Sequence, residues 1–259
     1  MDWMLLLLAA LAAGVLNAMA GGGSFLTFPA LVFTGVTAIP ANATSAVAVS
    51  PGYLGSVLGF RVELTALPRQ RLWREGALCA LGGAMGAGLL LVTPARVFAA
   101  LVPWLLLFAT LLFAAGPALL ARRRQAQVAA GGQGPDAAAP AGAALRWLGL
   151  ALVAVYGGYF NGGLGILLMA LYTLTGESDL NTANALKNLN SLVLSLLSVA
   201  TFAWAGAIVW PQALAMALAA SVGGFWGARL ARRLPAPVVR SGVVVTGLVM
   251  AGVFFLRSG

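Results

Sequence analysis

Two glycine clusters hold the side chains best placed for chemistry. In NAMAGGGSF, Asn17 and Ser24 flank Gly21, Gly22 and Gly23, with Thr27 a turn further on; in YFNGGLG, Tyr159 and Asn161 precede Gly162 and Gly163. None of these groups is a strong acid or base. The chain also has no histidine and one cysteine, Cys79, which leaves little room for acid–base, disulfide or metal-cluster chemistry, and no cofactor is expected. What these groups can do is hydrogen-bond. Glycine lets the backbone turn through φ values that other residues avoid. A helix that starts at such a turn presents unpaired N–H groups and partial positive charge, and that combination binds anions. Neither cluster is a nucleotide loop, because no strand precedes it and no Gly-Lys-Ser/Thr follows.

Further candidates lie just beyond each cluster. Asn42, with Thr44 and Ser45 behind it, opens a long apolar segment, and Asn184 opens a later one. Each asparagine reads either as lining a site or as structural, by capping a helix or bonding to a neighbouring one. Lys187, in NTANALKNLNS, is the only basic residue inside an expected membrane segment. It reads either as an anion ligand or as a lysine that snorkels to the interface or pairs with Glu177 or Asp179. Glu63, Glu177 and Asp179 read as solvated interface charges, and with no carboxylate expected deep in a segment no proton relay is evident. Gly82-xxx-Gly86 and Gly223-xxx-Gly227 read as close helix packing.

The elements that must position these residues are membrane helices. With 61% hydrophobic and 8% charged residues, the chain reads as an all-α polytopic integral membrane protein. A span needs roughly 20 apolar residues, and stretches near 42–60, 76–92, 97–121, 183–205, 211–230 and 238–256 qualify. The stretches 3–34 and 147–175 are each too long for one crossing and are broken by the glycines. MDWM lacks a basic n-region, so the first stretch reads as membrane segment and not as a cleaved signal. The net charge of +9 is almost all arginine, which in such a chain is a topology signal and not a nucleic-acid surface.

Shifting the chain against itself by 141 residues places Gly21-Gly22 on Gly162-Gly163, Thr34-Gly35 on Thr175-Gly176, Gly82-Gly83 on Gly223-Gly224 and Pro94-Ala95 on Pro235-Ala236. With one residue inserted, Ala41-Asn42-Ala43 falls on Ala183-Asn184-Ala185. The division is a first repeat at 1–121, a linker at 122–145 on the cytoplasmic side and a second repeat at 146–259. The arginines give the orientation. Arg61, Arg69, Arg71 and Arg74 follow the second long apolar segment of the first half, whereas the matching loop of the second half, AGAIVWPQ, is uncharged; one segment later Arg229, Arg232 and Arg233 fall on Gly88, Leu91 and Val92. By the positive-inside rule the halves are inverted. If each broken stretch is a re-entrant hairpin followed by three crossings, 12 of the 15 basic residues lie in the cytoplasm and both termini lie outside.

NAMAGGGSFLTFPALVFTGVTAIPANATS and FNGGLGILLMALYTLTGESDLNTANALKN resemble the TauE/SafE family, the sulfite exporter or toluene-sulfonate-uptake-permease group. The second block departs from the first in having Ala170 where the first has Pro29. The resemblance implies a bacterial cytoplasmic-membrane permease for small sulfur-containing or organic anions such as sulfite, sulfoacetate or related sulfonates. The expected partners are that anion and the lipid bilayer, with a homo-oligomer left open. A passive anion channel of the same build is the alternative. An intramembrane lipid-modifying enzyme is less favoured for want of an acid–base or metal constellation.

Overall fold

The computed structural model describes residues 2–19, 22–129, 140–177, 179–230 and 236–258, and every regular element among them is helical. In order these are α1 (Trp3–Met19), α2 (Ser24–Phe33), α3 (Ala38–Gly59), α4 (Arg61–Thr65), α5 (Arg69–Val92), α6 (Ala95–Ala129), α7 (Pro140–Tyr159), α8 (Leu164–Leu174), α9 (Leu180–Trp204), α10 (Trp210–Leu230) and α11 (Ala236–Ser258). Shifted by 141 or 142 residues, the starts of α3, α5 and α6 fall on those of α9, α10 and α11. The stretch 122–145 is helical up to Ala129 and again from Pro140; its residues 130–139 lie outside those described.

Local sequence explains the short helices. α2 and α8 both end on a Thr-Gly pair, with Gly35 at φ 93° and Gly176 at φ 91°, a backbone that disfavours other residues. The left-handed residue folds the chain back so that Val36 N–H reaches the Leu31 carbonyl and Glu177 N–H reaches that of Tyr172. Asp179 then caps α9, accepting from the backbone N–H groups of Asn181 and Thr182. Its carboxyl is held below the usual carboxylate range by the Thr182 hydroxyl and backbone.

The long helices pack across the two halves of the chain. α1 crosses α10 where a side chain on Gly223 would land on the Leu11 carbonyl and one on Gly14 would meet the Ala220 and Gly224 backbone. α7 crosses α5 likewise, at Gly82, Gly83 and Gly86 against Ala154, Val155 and Gly158. This is the close backbone approach that small residues permit. α9 runs parallel to α5, through Asn190 on Glu75 and Ser198 on the Gly83 carbonyl. It runs antiparallel to α3: Ser50 meets Ser195 at 2.8 Å, while Thr44, nearer the start of α3, accepts from Val209 N–H just beyond the end of α9.

The outer surface is apolar. Leu214, Leu218, Val222 and Phe225 form an exposed stripe along α10, and Leu81, Met85, Leu89 and Val92 form another along α5. Patches of this extent on a protein in water would drive association; facing lipid they cost nothing. Among the described residues α5 and α9 each hold an apolar stretch long enough to cross a membrane. Buried polar groups gather instead on the inner faces of α3 and α9.

Candidate functional site

The first turn lies between α1 and α2. Gly21 falls outside the described residues; Gly22, Gly23 and Ser24 are buried. Gly23 has ordinary helical φ and ψ, −55° and −34°. Space, not conformation, calls for glycine here: a Cβ would sit 3.0 Å from the Ala13 carbonyl oxygen and 3.2 Å from Val49 Cγ1. Asn17 is half-buried and reaches the Val49 carbonyl through Nδ2 at 3.5 Å. One turn into α2, the Thr27 and Ser45 hydroxyls meet at 2.6 Å, both buried. Thr44 is placed apart from this group, its hydroxyl oxygen accepting from Val209 N–H at 3.1 Å and anchoring the entry to α10.

The second turn uses glycine for a different reason. Gly163, which precedes α8, has φ 78°, the left-handed backbone anticipated for both clusters. Tyr156 holds the turn by donating its hydroxyl to the Gly162 carbonyl at 2.8 Å. Asn161 is buried and its Oδ1 accepts from the Tyr53 hydroxyl at 3.4 Å. Asn42 does not cap α3, whose first turn follows Thr37; it donates to the Tyr159 carbonyl at 3.2 Å and ties α3 to the end of α7. Asn184 bonds back to the Leu180 carbonyl of its own helix on an exposed edge.

The two turns are neighbours. A Cβ on Gly163 would come within 3.8 Å of the Phe25 ring, which belongs to the first turn of α2. Phe28 packs edge-on to Phe160 at 5.6 Å, closing the seam with aromatic surface. The N–H of Gly165, in the first turn of α8, has no backbone acceptor among the described residues, as expected at a helix start, and the start of α2 lies beside it.

Lys187 is 8% exposed and makes no ion pair or hydrogen bond among the described residues. Glu177 and Asp179, its candidate partners, are engaged elsewhere, with Arg71 and with the start of α9. Lys187 shares a face of α9 with Ser191, one turn on, whose buried hydroxyl also lacks a partner among the described residues. It lies eight residues, about 12 Å along the helix axis, from Ser195 at the level of the first turn. Lys187 and the glycine turns therefore sit at successive depths.

A family profile described as sulfite exporter TauE/SafE matches residues 6–254. The chain belongs to this family. The TauE/SafE chain is 27% identical over 254 residues to the probable membrane transporter protein YfcA of Escherichia coli K12, covering 95% of this chain and 87% of that one. It is 26% identical over 242 residues to a probable membrane transporter protein of Haemophilus influenzae, covering 92% and 88%. A third relative, the probable membrane transporter protein ORF9 of a Sinorhizobium species, is 25% identical over 247 residues, covering 95% and 89%. No solved structure matches. The TauE/SafE chain is accordingly a membrane transporter of this family.

Besides the two turns, this TauE/SafE protein has a polar centre that the motifs do not mark. Glu75, near the start of α5, is 1% exposed, a buried carboxylate that the sequence reading did not single out. Its Oε1 accepts from Arg71 Nε at 3.1 Å and Arg146 Nη2 at 2.6 Å. Its Oε2 accepts from the Tyr172 hydroxyl at 2.8 Å and Asn190 Nδ2 at 3.2 Å. Arg71 also bonds Glu177 at 2.7 Å, so Glu177 is half-buried and paired instead of solvated. The Arg146 guanidinium lies 5.5 Å over the Tyr172 ring. Arg71 and Glu75, four residues apart on one helix, were the available sequence signal; Tyr172 and Asn190 arrive from α8 and α9 without one.

Proposed function

We propose that this protein is a secondary transporter of small sulfur-containing or organic anions, such as sulfite, sulfoacetate or related sulfonates, in the bacterial cytoplasmic membrane. It is multi-pass, with two inverted repeats, 1–121 and 146–259, joined by a cytoplasmic linker at 122–145. Each repeat comprises a re-entrant hairpin, α1–α2 or α7–α8, and three crossings. The exchange of α1 onto α10 and α7 onto α5 supports this reading, as does the antiparallel run of α3 and α9. Inversion makes alternating access natural, because rocking one part against the other exposes a midplane site to each side in turn.

The observation that carries the substrate class is the meeting of the two short-helix starts at Phe25 and Gly163, with Lys187, unpaired among the described residues, on the approach. Helix starts and a lysine offer N–H donors and positive charge that suit an anion. Asn17, Ser24, Ser45 and Asn161 are near enough to the turns to select among anion shapes. Asn42, Asn184 and Thr44 stand further back. Asn42 keeps its part in the proposed site by setting the end of α7.

Uptake of radiolabelled sulfite and sulfoacetate into proteoliposomes tests this reading. We expect saturable flux with counterflow, and a KM raised about tenfold or more by Lys187→Ala, the value of one charge-assisted hydrogen bond. Absence of saturable flux for either anion overturns the substrate assignment. Flux that neither saturates nor shows counterflow makes the protein a channel. Unchanged affinity and rate in Lys187→Ala remove the lysine from the site.

A further inference from the structure

The Glu75 cluster joins four helices at one point. Arg146 lies near the start of α7 and Tyr172 near the end of α8, so both open ends of the second hairpin are tied to the same carboxylate on α5, with Asn190 of α9 as the fourth partner. Arg71 extends the tie to Glu177, in the loop that leaves the hairpin. The cluster stands where the chain's arginines gather, beside α4 and the start of α5.

The other half closes its hairpin without any charge. At the matching positions, Glu75 corresponds to Met216, Arg146 to Leu5, Tyr172 to Leu31 and Asn190 to Ala48. Met216, Leu31 and Ala48 are fully buried in one apolar cluster. Packing of this hairpin type therefore has an apolar solution, and buried ion clusters are seldom more stable than well-packed apolar groups of similar volume. The two solutions differ when they separate. Parted apolar surfaces meet water at a cost, whereas a parted carboxylate and guanidinium regain their hydration.

We propose that Glu75 is a positioning residue for gating: the cluster is a latch on the mouth of the second hairpin. Its hydration and parting open the path from the arginine-rich side to Lys187. Closed, Glu75 takes both arginines, the tyrosine and the asparagine, and Lys187, three residues before Asn190, has no counter-ion among the described residues, so that an incoming anion can meet it. The latch rests on the transporter reading, but its test does not depend on which anion is carried.

Cys79 supplies the reporter. It is the only cysteine in the chain, is fully buried, and lies one turn from Glu75 on α5, in the same cluster as Tyr172 and Leu150. The full-length protein is reconstituted in liposomes and Cys79 is labelled with a membrane-impermeant thiosulfonate, applied to each side in separate samples. Glu75→Gln is expected to label about tenfold faster from the arginine-rich side, in proportion to a larger open population, and to be unchanged from the other. Tyr172→Phe, which removes one donor and strands no charge, is expected to give a smaller rise in the same direction, and it carries the test if Glu75→Gln does not fold. Met216→Ala, the matching site of the other half, is expected to leave labelling at the wild-type rate. Wild-type labelling in both folded cluster variants overturns the latch, as does an equal rise from both sides or an equal rise in Met216→Ala. Lack of anion flux with one-sided labelling intact would fail the substrate reading and leave the latch standing.

Discussion

The two hairpins make the same bend with different chemistry. At the first turn Gly23 has ordinary helical torsions and is small because the Ala13 carbonyl and Val49 crowd it; at the second Gly163 stands at φ 78°. At the mouths the contrast is sharper: Glu75, Arg146, Tyr172 and Asn190 close one, Met216, Leu31 and Ala48 the other. The lesson is that backbone architecture constrains where a small residue or a close contact must be, and leaves open the means by which it is provided. The half whose mouth carries charge is the one whose closure can answer to water and anions.

The features common to both halves should be the least forgiving. Gly86→Leu and Gly223→Leu each drive a side chain onto a carbonyl of the crossing helix. Backbone, not a side chain, must move, so each should cost more than the roughly 1–3 kcal/mol usual for overpacking and yield little monodisperse protein in detergent. Recovery of one variant and not the other would break the equivalence of the two crossings.

The mouth comes next. Glu75→Ala strands Arg146, and removing one partner of a buried pair costs about 3–5 kcal/mol, seen as a lowered thermal midpoint. Glu75→Met combined with Arg146→Leu imposes the other half's solution and should recover most of that loss. A double variant no better than Glu75→Ala would mean that the mouths are not interchangeable.

The turns differ by less. Gly163→Ala forces a Cβ into left-handed backbone, roughly 1–2 kcal/mol, and to 2.9 Å from Ala109 Cβ, whereas Gly23→Ala meets tight contacts alone and should cost about 1 kcal/mol, the low end for overpacking. Equal losses in thermal unfolding would erase the distinction drawn here.

The smallest effect is expected at Asp179. Its carboxyl is lowered by the Thr182 hydroxyl and backbone, so its contribution is full above the ordinary carboxylate range and fades as pH falls through the lowered native value. The thermal midpoint of Asp179→Ala should lie below wild type at pH 7, and the gap should narrow as pH falls below the ordinary carboxylate range. A gap that persists in acid would show that the charge is not what caps α9.

Much of this fold is legible in the sequence because membrane helices declare themselves by apolar length and glycine turns by composition. The short helices that should follow the glycine turns are α2 and α8, at Ser24–Phe33 and Leu164–Leu174. The site was legible only in part. Asn17, Ser24 and Asn161 lie at the turns that suggested them, but Asn42 bonds the end of α7 and Thr44 anchors α10, partners 117 and 165 residues away. Glu75 went unmarked because its environment comes from α7, α8 and α9, and no local pattern encodes contacts 71, 97 and 115 residues distant.

The central claim, that the two hairpins open on opposite faces of the membrane, has a direct measurement. On a Cys79→Ser background, single cysteines replace Thr37, exposed in the loop after α2, and Asn181, exposed just after the loop that follows α8. Intact cells are treated with a membrane-impermeant maleimide before and after permeabilisation. The inverted arrangement predicts that Thr37→Cys labels in intact cells and Asn181→Cys only once the membrane is opened. Labelling of both from the same face would contradict it.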